Sequence, residues 1–150
     1  ESVVGFVLNF KTQFKLRDVR PQVQNGFLPI FAGGPVAKNQ LFFLHTLGEK
    51  IPNSYHVEGD LYFGGDFNEL LYCVDHENVT ENELRFFVGY SGWDKDQLDN
   101  EIAKGSWFVA DTDPNMILTQ STGVLWAQEL ERQRKSYKIF GEIGYDPSMN

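Results

Sequence analysis

The sequence predicts an α+β fold in a single compact domain. Patterns typical of strands cluster in the first half of the chain, whereas strands and helices mix in the second half without the regular alternation of a βαβ protein. The chain has 150 residues, of which 41% are hydrophobic and 13 are phenylalanine. A chain of this length buries about 70% of its unfolded surface, so it can form one domain with a substantial core.

The first strand is predicted at residues 3–10, which are almost continuously apolar. Such a run predicts a strand that is buried on both faces and has a neighbour on each side, one of them from residues 40–47 or 84–91. The polar residues that follow predict a solvated loop, which continues through Pro21 and residues 24–26.

Two further strands are predicted on either side of a glycine pair. They are residues 27–32 and 40–47, and Gly33-Gly34-Pro35 opens the stretch between them, named the GGPV turn (residues 33–36). Residues 55–63 predict two short strands around a turn at Gly59-Asp60.

A helix is predicted at residues 66–77. Asp66 can cap this helix, and Glu69 three residues later has the spacing of a capping box. Four apolar residues at helical spacing share one face: Phe67, Leu70, Leu71 and Val74. Cys73 has apolar neighbours on the same helix, which predicts an inert, buried thiol rather than a reactive one.

A second helix follows the strand predicted at residues 84–91. Asp94 is its predicted N-cap, Gln97 occupies the third helical position, and Gly105 ends the helix. Trp93 precedes the cap and Leu98 lies at the fourth helical position, which is the spacing of a hydrophobic staple.

The remaining elements are less regular in pattern. Residues 106–111 predict a strand, Asp113-Pro114 the start of a short helix, and residues 123–134 a last helix. The basic residues 132–135 at the end of that helix complement the negative end of its dipole.

Charge and composition exclude several classes of function. The net charge of −8 repels phosphate backbones, so direct nucleic-acid binding is disfavoured, and only Lys11, Lys15, Arg17 and Arg20 form a basic segment before the last helix. No apolar run approaches the roughly 20 residues that span a bilayer, which predicts a soluble protein without a membrane partner. The single cysteine excludes an internal disulfide and favours a reducing, cytoplasmic location.

No established catalytic or metal-binding motif occurs in the sequence. The three histidines are far apart and have no partner at ligand spacing, so we predict no metal site and no cofactor. A Walker loop, a GxSxG elbow and a GxGxxG loop are all missing from the sequence. Ser91 as a nucleophile with His45 as its base is a minority hypothesis, and the catalytic residues, if any exist, are not identified by the sequence.

Two glycine-rich stretches are the best candidates for a ligand site. They are the GGPV turn and residues 89–93, named the GYSGW segment, which we expect to be a loop. Glycine pairs allow backbone N–H groups to face an anion, but more often they allow two chain segments to pack closely. The candidate ligand-binding residues are Gly33, Gly34, Pro35, His45, Tyr90, Ser91, Gly92, Trp93 and Gln97. We interpret the GGPV turn mainly as an entry into the following strand.

Five blocks of the sequence resemble the AlgH/YqgE family and occur in the order found in that family. They are residues 5–9 (GFVLN), 32–36 (AGGPV), 41–45 (LFFLH), 89–107 (GYSGWDKDQLDNEIAKGSW) and 125–126 (LW). The long block is the specific one, because it combines the glycine-aromatic start, a glutamate and two tryptophans. The blocks extend over most of the chain.

The resemblance implies strongly coiled, mostly antiparallel sheets with helices packed outside. Family members are bacterial cytosolic proteins, some of which carry the label of transcriptional regulator, and the resemblance brings no catalytic residue, metal or cofactor. It also implies a few dozen residues, including a strand, ahead of GFVLN. We therefore expect residues 1–150 to be a single AlgH/YqgE-like domain that lacks an N-terminal segment.

These observations together favour a non-enzymatic binding or regulatory protein of the bacterial cytosol that acts on another protein. The alternative is a small-molecule or anion-binding protein, catalytic or not, with its site between the GGPV turn and the GYSGW segment. Direct DNA binding is a third hypothesis, which an acidic chain without a helix-turn-helix pattern supports poorly. The sequence predicts neither the partner nor the oligomeric state.

Overall fold

One mostly antiparallel sheet organises the part of the chain that the structure, a computed structural model, describes, namely residues 2–120 and 123–132. The strand order is β2-β3-β7-β4-β6-β5, and β1 pairs with β7 off this path. The strands are β1 (Ser2–Gly5), β2 (Lys11–Lys15), β3 (Pro29–Ala32), β4 (Val36–His45), β5 (Tyr55–Glu58), β6 (Leu61–Phe63) and β7 (Leu84–Asp94). The α-helices are α1 (Leu16–Val19), α2 (Phe67–His76), α3 (Lys95–Ala103), α4 (Met116–Thr119) and α5 (residues 123–132), and Gly48–Lys50 forms a short 3-10 helix.

β7 is the central strand of this sheet. It pairs in parallel with β3 on one edge and antiparallel with β4 on the other, and its last residues pair antiparallel with β1. The pairs formed by β2 with β3, β4 with β6 and β5 with β6 are antiparallel as well. The predicted α+β class is therefore confirmed.

The core lies on both faces of the sheet because successive side chains of β7 point to opposite sides. Leu84 and Phe86 join a cluster with α2, whereas Phe87 joins a cluster on the other face with α4. The α2 cluster comprises Leu16, Val23, Leu28, Ile30, Phe43, Ile51, Leu70, Cys73, Val74, Leu84 and Phe86. The α4 cluster comprises Phe31, Leu44, Leu61, Phe87 and Leu118.

Several predicted elements are confirmed in detail. The Asp66 carboxylate caps α2 by accepting a hydrogen bond from the Glu69 N–H at 3.0 Å. Cys73 is buried in the core, as its apolar neighbours predict. β5 and β6 form the predicted hairpin, and Gly59 turns it with a φ of 56°.

The prediction for the first strand is wrong in its burial. Val3 and Val4 are 38% and 51% exposed, and among the described residues β1 has one strand neighbour, β7. The reason is that the chain bends after β1 and leaves β7 for the end of β3: the Ala32 N–H donates to the Phe10 oxygen, and the Val7 N–H donates to the oxygen of Gly33 just after β3, both at 2.8 Å. β1 therefore pairs with β7, and the residues after β1 contact the end of β3, each along one edge only. The expected N-terminal segment stays a prediction.

The polar stretch after the first strand is structured rather than a loop. β2 pairs with β3, with Lys11 opposite Phe31 and Lys15 opposite Pro29, and Leu16 anchors α1 in the core. Polar residues dominate β2 because it is a strand at the edge of the sheet, so the apolar pattern that identifies a strand is weak there.

Residues 106–111 do not form the predicted strand. Trp107 and Val109 are exposed, and no sheet edge in the described part of the chain pairs with them. The short helix predicted after Asp113-Pro114 is present as α4. The last predicted helix is confirmed for residues 123–132, and its end at 133–135 lies outside the described residues.

Candidate binding site

The GGPV turn carries the chain from β3 to β4 across one face of β7. Since β3 and β4 lie on opposite edges of β7, the link spans two inter-strand spacings, about 10 Å, with three residues. A Cβ on Gly34 would overlap the Tyr90 carbonyl group and the Ser91 nitrogen, and a Cβ on Gly33 would overlap the Gly89 oxygen. Backbone lies directly on backbone here, named the glycine crossing (Gly33, Gly34 and residues 89–91).

The expectation that the GYSGW segment is a loop is wrong, because the whole segment belongs to β7. β1 pairs with its second half, with Gly5 opposite Ser91 and Val3 opposite Trp93. Its glycines serve the crossing and the pairing instead of a loop: Gly89 has a φ of 72°, which an L-residue rarely adopts. A ligand role for Gly33, Gly34, Pro35, Tyr90, Ser91 and Gly92 stays a prediction, and main-chain atoms occupy the space between Gly34 and Tyr90.

The structure does not bring His45 and Ser91 together. His45 is opposite Leu84 in the sheet, and Ser91 lies seven residues further along β7, which corresponds to about 23 Å. His45 is instead fully buried and within 3.0 Å of the Ser54 hydroxyl. The minority hypothesis of a Ser91–His45 catalytic pair therefore has no geometric basis.

The hydrogen bonds of His45 define its neutral form. Its Nδ1 accepts the Leu47 N–H at 3.2 Å, so Nε2 carries the proton and donates to the Gly64 oxygen at 2.9 Å. Burial lowers the pKa of His45, and the Gly64 hydrogen bond opposes this effect only in part. Because Nε2 is protonated, His45 cannot act as a base towards Ser54. The side chains of His45 and Ser54 instead hold the segment after β4 against the strand β6.

Trp93 and Gln97, in contrast, converge on two residues that are not among the predicted site residues. Glu101 Oε2 accepts hydrogen bonds from the indole N–H groups of Trp93 at 3.1 Å and Trp107 at 2.7 Å. Glu101 Oε1 accepts one from the Gln97 amide at 3.0 Å. The two indoles meet edge to face with their centroids 5.8 Å apart. These four residues are named the tryptophan–glutamate cluster.

Local structure explains why these four side chains meet. Gln97 and Glu101 are one turn apart on α3, and Trp93 is the last β7 residue before Asp94, the helix cap. The Asp94 N–H donates to Gln97 Oε1 at 3.3 Å, which fixes the amide so that its nitrogen faces Glu101. Gly105 ends α3 with a φ of 75° and returns the chain towards the helix, which places Trp107 beside Glu101.

The cluster holds its carboxylate in the charged state. Hydrogen bonds from Trp107, Gln97 and Trp93, in addition to the charge of Lys104, lower the pKa of Glu101. The donors within the cluster are neutral, and the salt bridges among the described residues, Lys50–Glu77 and Arg132–Glu129, do not include Glu101. The result is a fixed negative charge between two indole rings.

The surface around the cluster is apolar and acidic. Trp107 is 49% exposed, and Val3, the β1 residue opposite Trp93, is exposed as well. Residues 94–104 carry four carboxylates and two lysines. We name this surface, formed by Val3, the tryptophan–glutamate cluster and α3, the tryptophan face.

A separate apolar groove lies on the α4 side of the sheet. Its cavity has a volume of about 360 Å³ and is lined by apolar side chains of β1 and the residues after it, β4, the β5–β6 hairpin and α4. Val4, Phe6, Leu44, Val57, Phe63 and Ile117 are among them. Neither the GGPV turn nor the tryptophan–glutamate cluster contributes to this groove.

The structure contains no helix, among residues 2–120 and 123–132, that is long and apolar enough to cross a membrane. In the same residues, no group of three or more histidines, cysteines, aspartates or glutamates is arranged to hold a metal ion. The tryptophan–glutamate cluster itself consists of two indole rings, an amide and one carboxylate.

The fold and this surface define an α+β protein with one mostly antiparallel sheet and a tryptophan–glutamate cluster at the end of its central strand. The chain belongs to the AlgH-like family, whose model matches residues 1–138. The predicted resemblance to the AlgH/YqgE family is thus confirmed.

The curated relatives that the chain matches are named as UPF0301 proteins. The chain is 36% identical to a UPF0301 protein of Parabacteroides distasonis, covering 98% of this chain and 75% of the relative. It is 35% identical to a UPF0301 protein of Cytophaga hutchinsonii, covering 97% and 81% respectively.

Two solved structures have a similar fold. The solution structure of the AlgH protein from Pseudomonas aeruginosa has a TM-score of 0.65 at 20% identity, covering 99% of this chain and 76% of that one. A crystal structure of a protein from Corynebacterium diphtheriae has a TM-score of 0.56 at 21% identity, covering 79% and 63%. At these identities the likeness shows a shared fold.

Proposed function

We propose that this protein is a non-enzymatic binding protein of the bacterial cytosol that contacts a protein partner through the tryptophan face. The observation that carries the proposal is the half-exposed Trp107, whose indole is fixed to Glu101 at 2.7 Å instead of being packed in the core. Any regulatory role runs through this partner.

Tryptophans held in this way are suited to protein recognition. Large aromatic side chains supply much of the binding free energy at protein interfaces, and rings that are already fixed lose little conformational entropy on binding. The edge-to-face contact with Trp93 and the hydrogen bond to Glu101 both fix Trp107 before a partner arrives.

The charge of the protein indicates the charge of the partner. The chain carries a net charge of −8, and α3, which is part of the tryptophan face, carries three carboxylates and one lysine. Opposite charges on two proteins accelerate their association, and like charges disfavour binding. The partner surface should therefore be basic with apolar residues at its centre.

Site-directed photocrosslinking in living cells tests this proposal. A photoreactive phenylalanine analogue replaces Val109, which is exposed and two residues from Trp107. The control carries the same analogue in place of Tyr72, an exposed aromatic residue on α2. We expect a discrete adduct with a basic protein from position 109, none of the same mass from position 72, and loss of the adduct when Trp107→Ala is added.

The same adducts from both positions would contradict the proposal, because the contact would then not depend on the tryptophan face. So would an adduct from position 109 that persists in the Trp107→Ala variant. The Trp107→Ala protein is first shown to be folded by its thermal unfolding transition.

The apolar groove supports a second candidate function, the binding of an apolar small molecule. Its volume of about 360 Å³ and its apolar lining are typical of ligand pockets. Native mass spectrometry of protein purified from the cytosol tests it: we expect a bound apolar molecule that is lost in Val57→Arg, which places a charge in the groove wall. The control Val19→Arg changes a similarly exposed valine on α1 and should retain the ligand. Ligand-free protein, or equal retention by both variants, would contradict this candidate.

A further inference from the structure

We propose that the tryptophan–glutamate cluster binds an arginine side chain of the partner, with the guanidinium stacked on Trp107 and donating to Glu101. This inference rests on the proposed function, since it names the chemical group by which the partner is recognised. Two properties of the cluster lead to it: a carboxylate that forms no salt bridge among the described residues, and a half-exposed indole hydrogen-bonded to it.

The carboxylate of Glu101 has capacity for one more donor. A carboxylate accepts about four hydrogen bonds. Glu101 Oε2 accepts the two indole N–H groups, whereas Oε1 accepts, from the residues that the structure describes, the Gln97 amide alone. The remaining acceptor position is therefore on Oε1. A charged donor is favoured there, because the three donors are neutral and the carboxylate forms no salt bridge within the described part of the chain.

The exposed ring of Trp107 supplies the second contact. Tryptophan is the strongest aromatic partner for cations, and the attraction is greatest over the face of the ring. Trp107 is 49% exposed and meets Trp93 at an interplanar angle of 79°, so the two indoles form two walls at nearly right angles. The carboxylate joins these walls at their N–H edges.

Arginine fits this combination better than other biological cations. The planar guanidinium can lie on the Trp107 ring while one of its five N–H groups donates to Glu101 Oε1. Lysine can donate but has no plane to stack, and trimethyllysine can contact the rings but has no N–H group to donate. The same chain already stacks a guanidinium on an aromatic ring: Arg17 lies 5.0 Å from the Phe27 centroid.

Titration of the whole protein with short blocked peptides, followed by NMR of the indole N–H groups, tests the inference. The peptides are identical except for a central arginine, citrulline, lysine or trimethyllysine. We expect the arginine peptide to shift the Trp93 and Trp107 signals in a saturable way. Trp126 on α5 lines a different cavity and serves as the internal control, so its signal should remain in place.

Binding of the arginine peptide should weaken at least about fivefold when citrulline replaces arginine, which keeps the plane but removes the charge. A similar loss is expected in Glu101→Gln. Trp107→Leu keeps an apolar side chain and should lose the arginine preference, and the Trp93 and Trp126 signals report whether each variant remains folded. Equal binding of citrulline and arginine, stronger binding of trimethyllysine, or a shift of Trp126 as large as that of Trp107 would overturn the inference.

The inference and the proposed function fail in different ways. A crosslinked partner that depends on Trp107, without arginine-specific shifts, would overturn the arginine site and leave the proposed function standing. Arginine-specific shifts without a crosslinked partner would overturn the proposed function and leave a cation site of unknown use.

Discussion

Gly34 and Gly89 pack backbone against backbone where the link between β3 and β4 crosses β7. A Cβ on Gly89 would overlap the Gly34 carbonyl oxygen, and Gly89 has a φ of 72°, which favours glycine for a second reason. The crossing fixes β3 and β4 on opposite edges of the central strand with a three-residue link. It thereby determines the order of the strands around the core.

Gly34→Ala should destabilise the protein by about 3 kcal/mol or more. The new Cβ would overlap the Tyr90 carbonyl, and main-chain atoms inside a sheet cannot move aside as a flexible side chain can. Urea unfolding followed by circular dichroism measures this loss. The matched control is Gly123→Ala, where a Cβ meets open space, and it should be neutral or stabilising by up to about 1 kcal/mol. Similar effects of the two variants would contradict the packing described.

The sequence predicts the local elements of this fold better than their connections. The cap at Asp66, the turn at Gly59 and the stop at Gly105 are confirmed, because each depends on a few neighbouring residues. The glycine crossing pairs residues more than 50 positions apart, and no local pattern contains that information. The same limit explains β2, whose polar residues become a strand only because β3 is beside them.

His45 makes the protein less stable below neutral pH. Burial lowers its pKa from 6.5 in the folded state, so the unfolded chain binds the proton more readily. Stability from this residue is complete above pH 6.5 and is lost as the pH falls towards the folded-state pKa, by at most about 1.4 kcal/mol per pH unit. Protonation at Nδ1 would also remove the acceptor of the Leu47 N–H.

Unfolding free energies between pH 5 and 7 check this dependence. His45→Gln should flatten the curve in that window, whatever its effect on stability at pH 7. His56→Gln is the control for replacing a histidine at the surface, because His56 is exposed. If the unfolding free energy of the unchanged protein does not vary between pH 5 and 7, protonation of His45 does not destabilise the folded state, which would contradict the prediction.

Trp93→Ala should destabilise the protein by about 2 kcal/mol, and Trp107→Ala by less than about 1 kcal/mol. Trp93 is partly buried and packs on β1, where a Cβ on Gly5 would lie 3.0 Å from its ring, whereas Trp107 is 49% exposed. Chemical unfolding of both variants measures the difference. A larger loss for Trp107→Ala would indicate that its ring serves stability rather than binding.

The predicted staple between Trp93 and Leu98 has a test of its own. If the two side chains pack together, the Trp93→Ala and Leu98→Ala effects are not additive, and a double-mutant cycle should give a coupling of at least about 0.5 kcal/mol. Additive effects would show that Trp93 is held by Glu101 and β1 alone.

Glu101 should titrate below the 4.5 of an ordinary glutamate. Its hydrogen bonds to Trp107, Gln97 and Trp93 favour the charged form, so the contribution of Glu101 to stability is present above pH 4.5 and is lost as the pH falls through the lowered pKa. Carbon-13 NMR of the side-chain carboxyl groups follows this titration. In Trp107→Phe, which removes the hydrogen bond with the largest effect, the pKa should rise towards 4.5, and an unchanged value would contradict the cluster.

The candidate site was predictable only in part. The sequence predicts nine ligand-binding residues, of which Trp93 and Gln97 belong to the tryptophan–glutamate cluster, whereas Gly33 and Gly34 serve the crossing and His45 lies in the core. Glu101 and Trp107 lie inside residues 89–107, the block that carries the family resemblance. Their spacing from Gln97 and from Gly105 is a signal from which the cluster can be predicted. Glu101 follows Gln97 by one helical turn, and a tryptophan just after a helix-ending glycine can fold back on that helix.

The protein should not bind duplex DNA specifically at about 150 mM salt. With a net charge of −8, binding depends on Lys11, Lys15, Arg17 and Arg20, and the structure stacks Arg17 on Phe27 and Arg20 on Phe67. Four phosphate contacts limit the slope of log affinity against log salt to about 3.6, so any weak association at low salt should disappear at 150 mM. Fluorescence anisotropy with random and genomic duplexes measures both the affinity and its salt dependence.

A variant with all four basic residues changed to glutamine should lose the low-salt association. Nanomolar binding to one sequence at 150 mM salt would restore direct DNA binding as the function, because four contacts on an acidic protein cannot supply that affinity without base recognition.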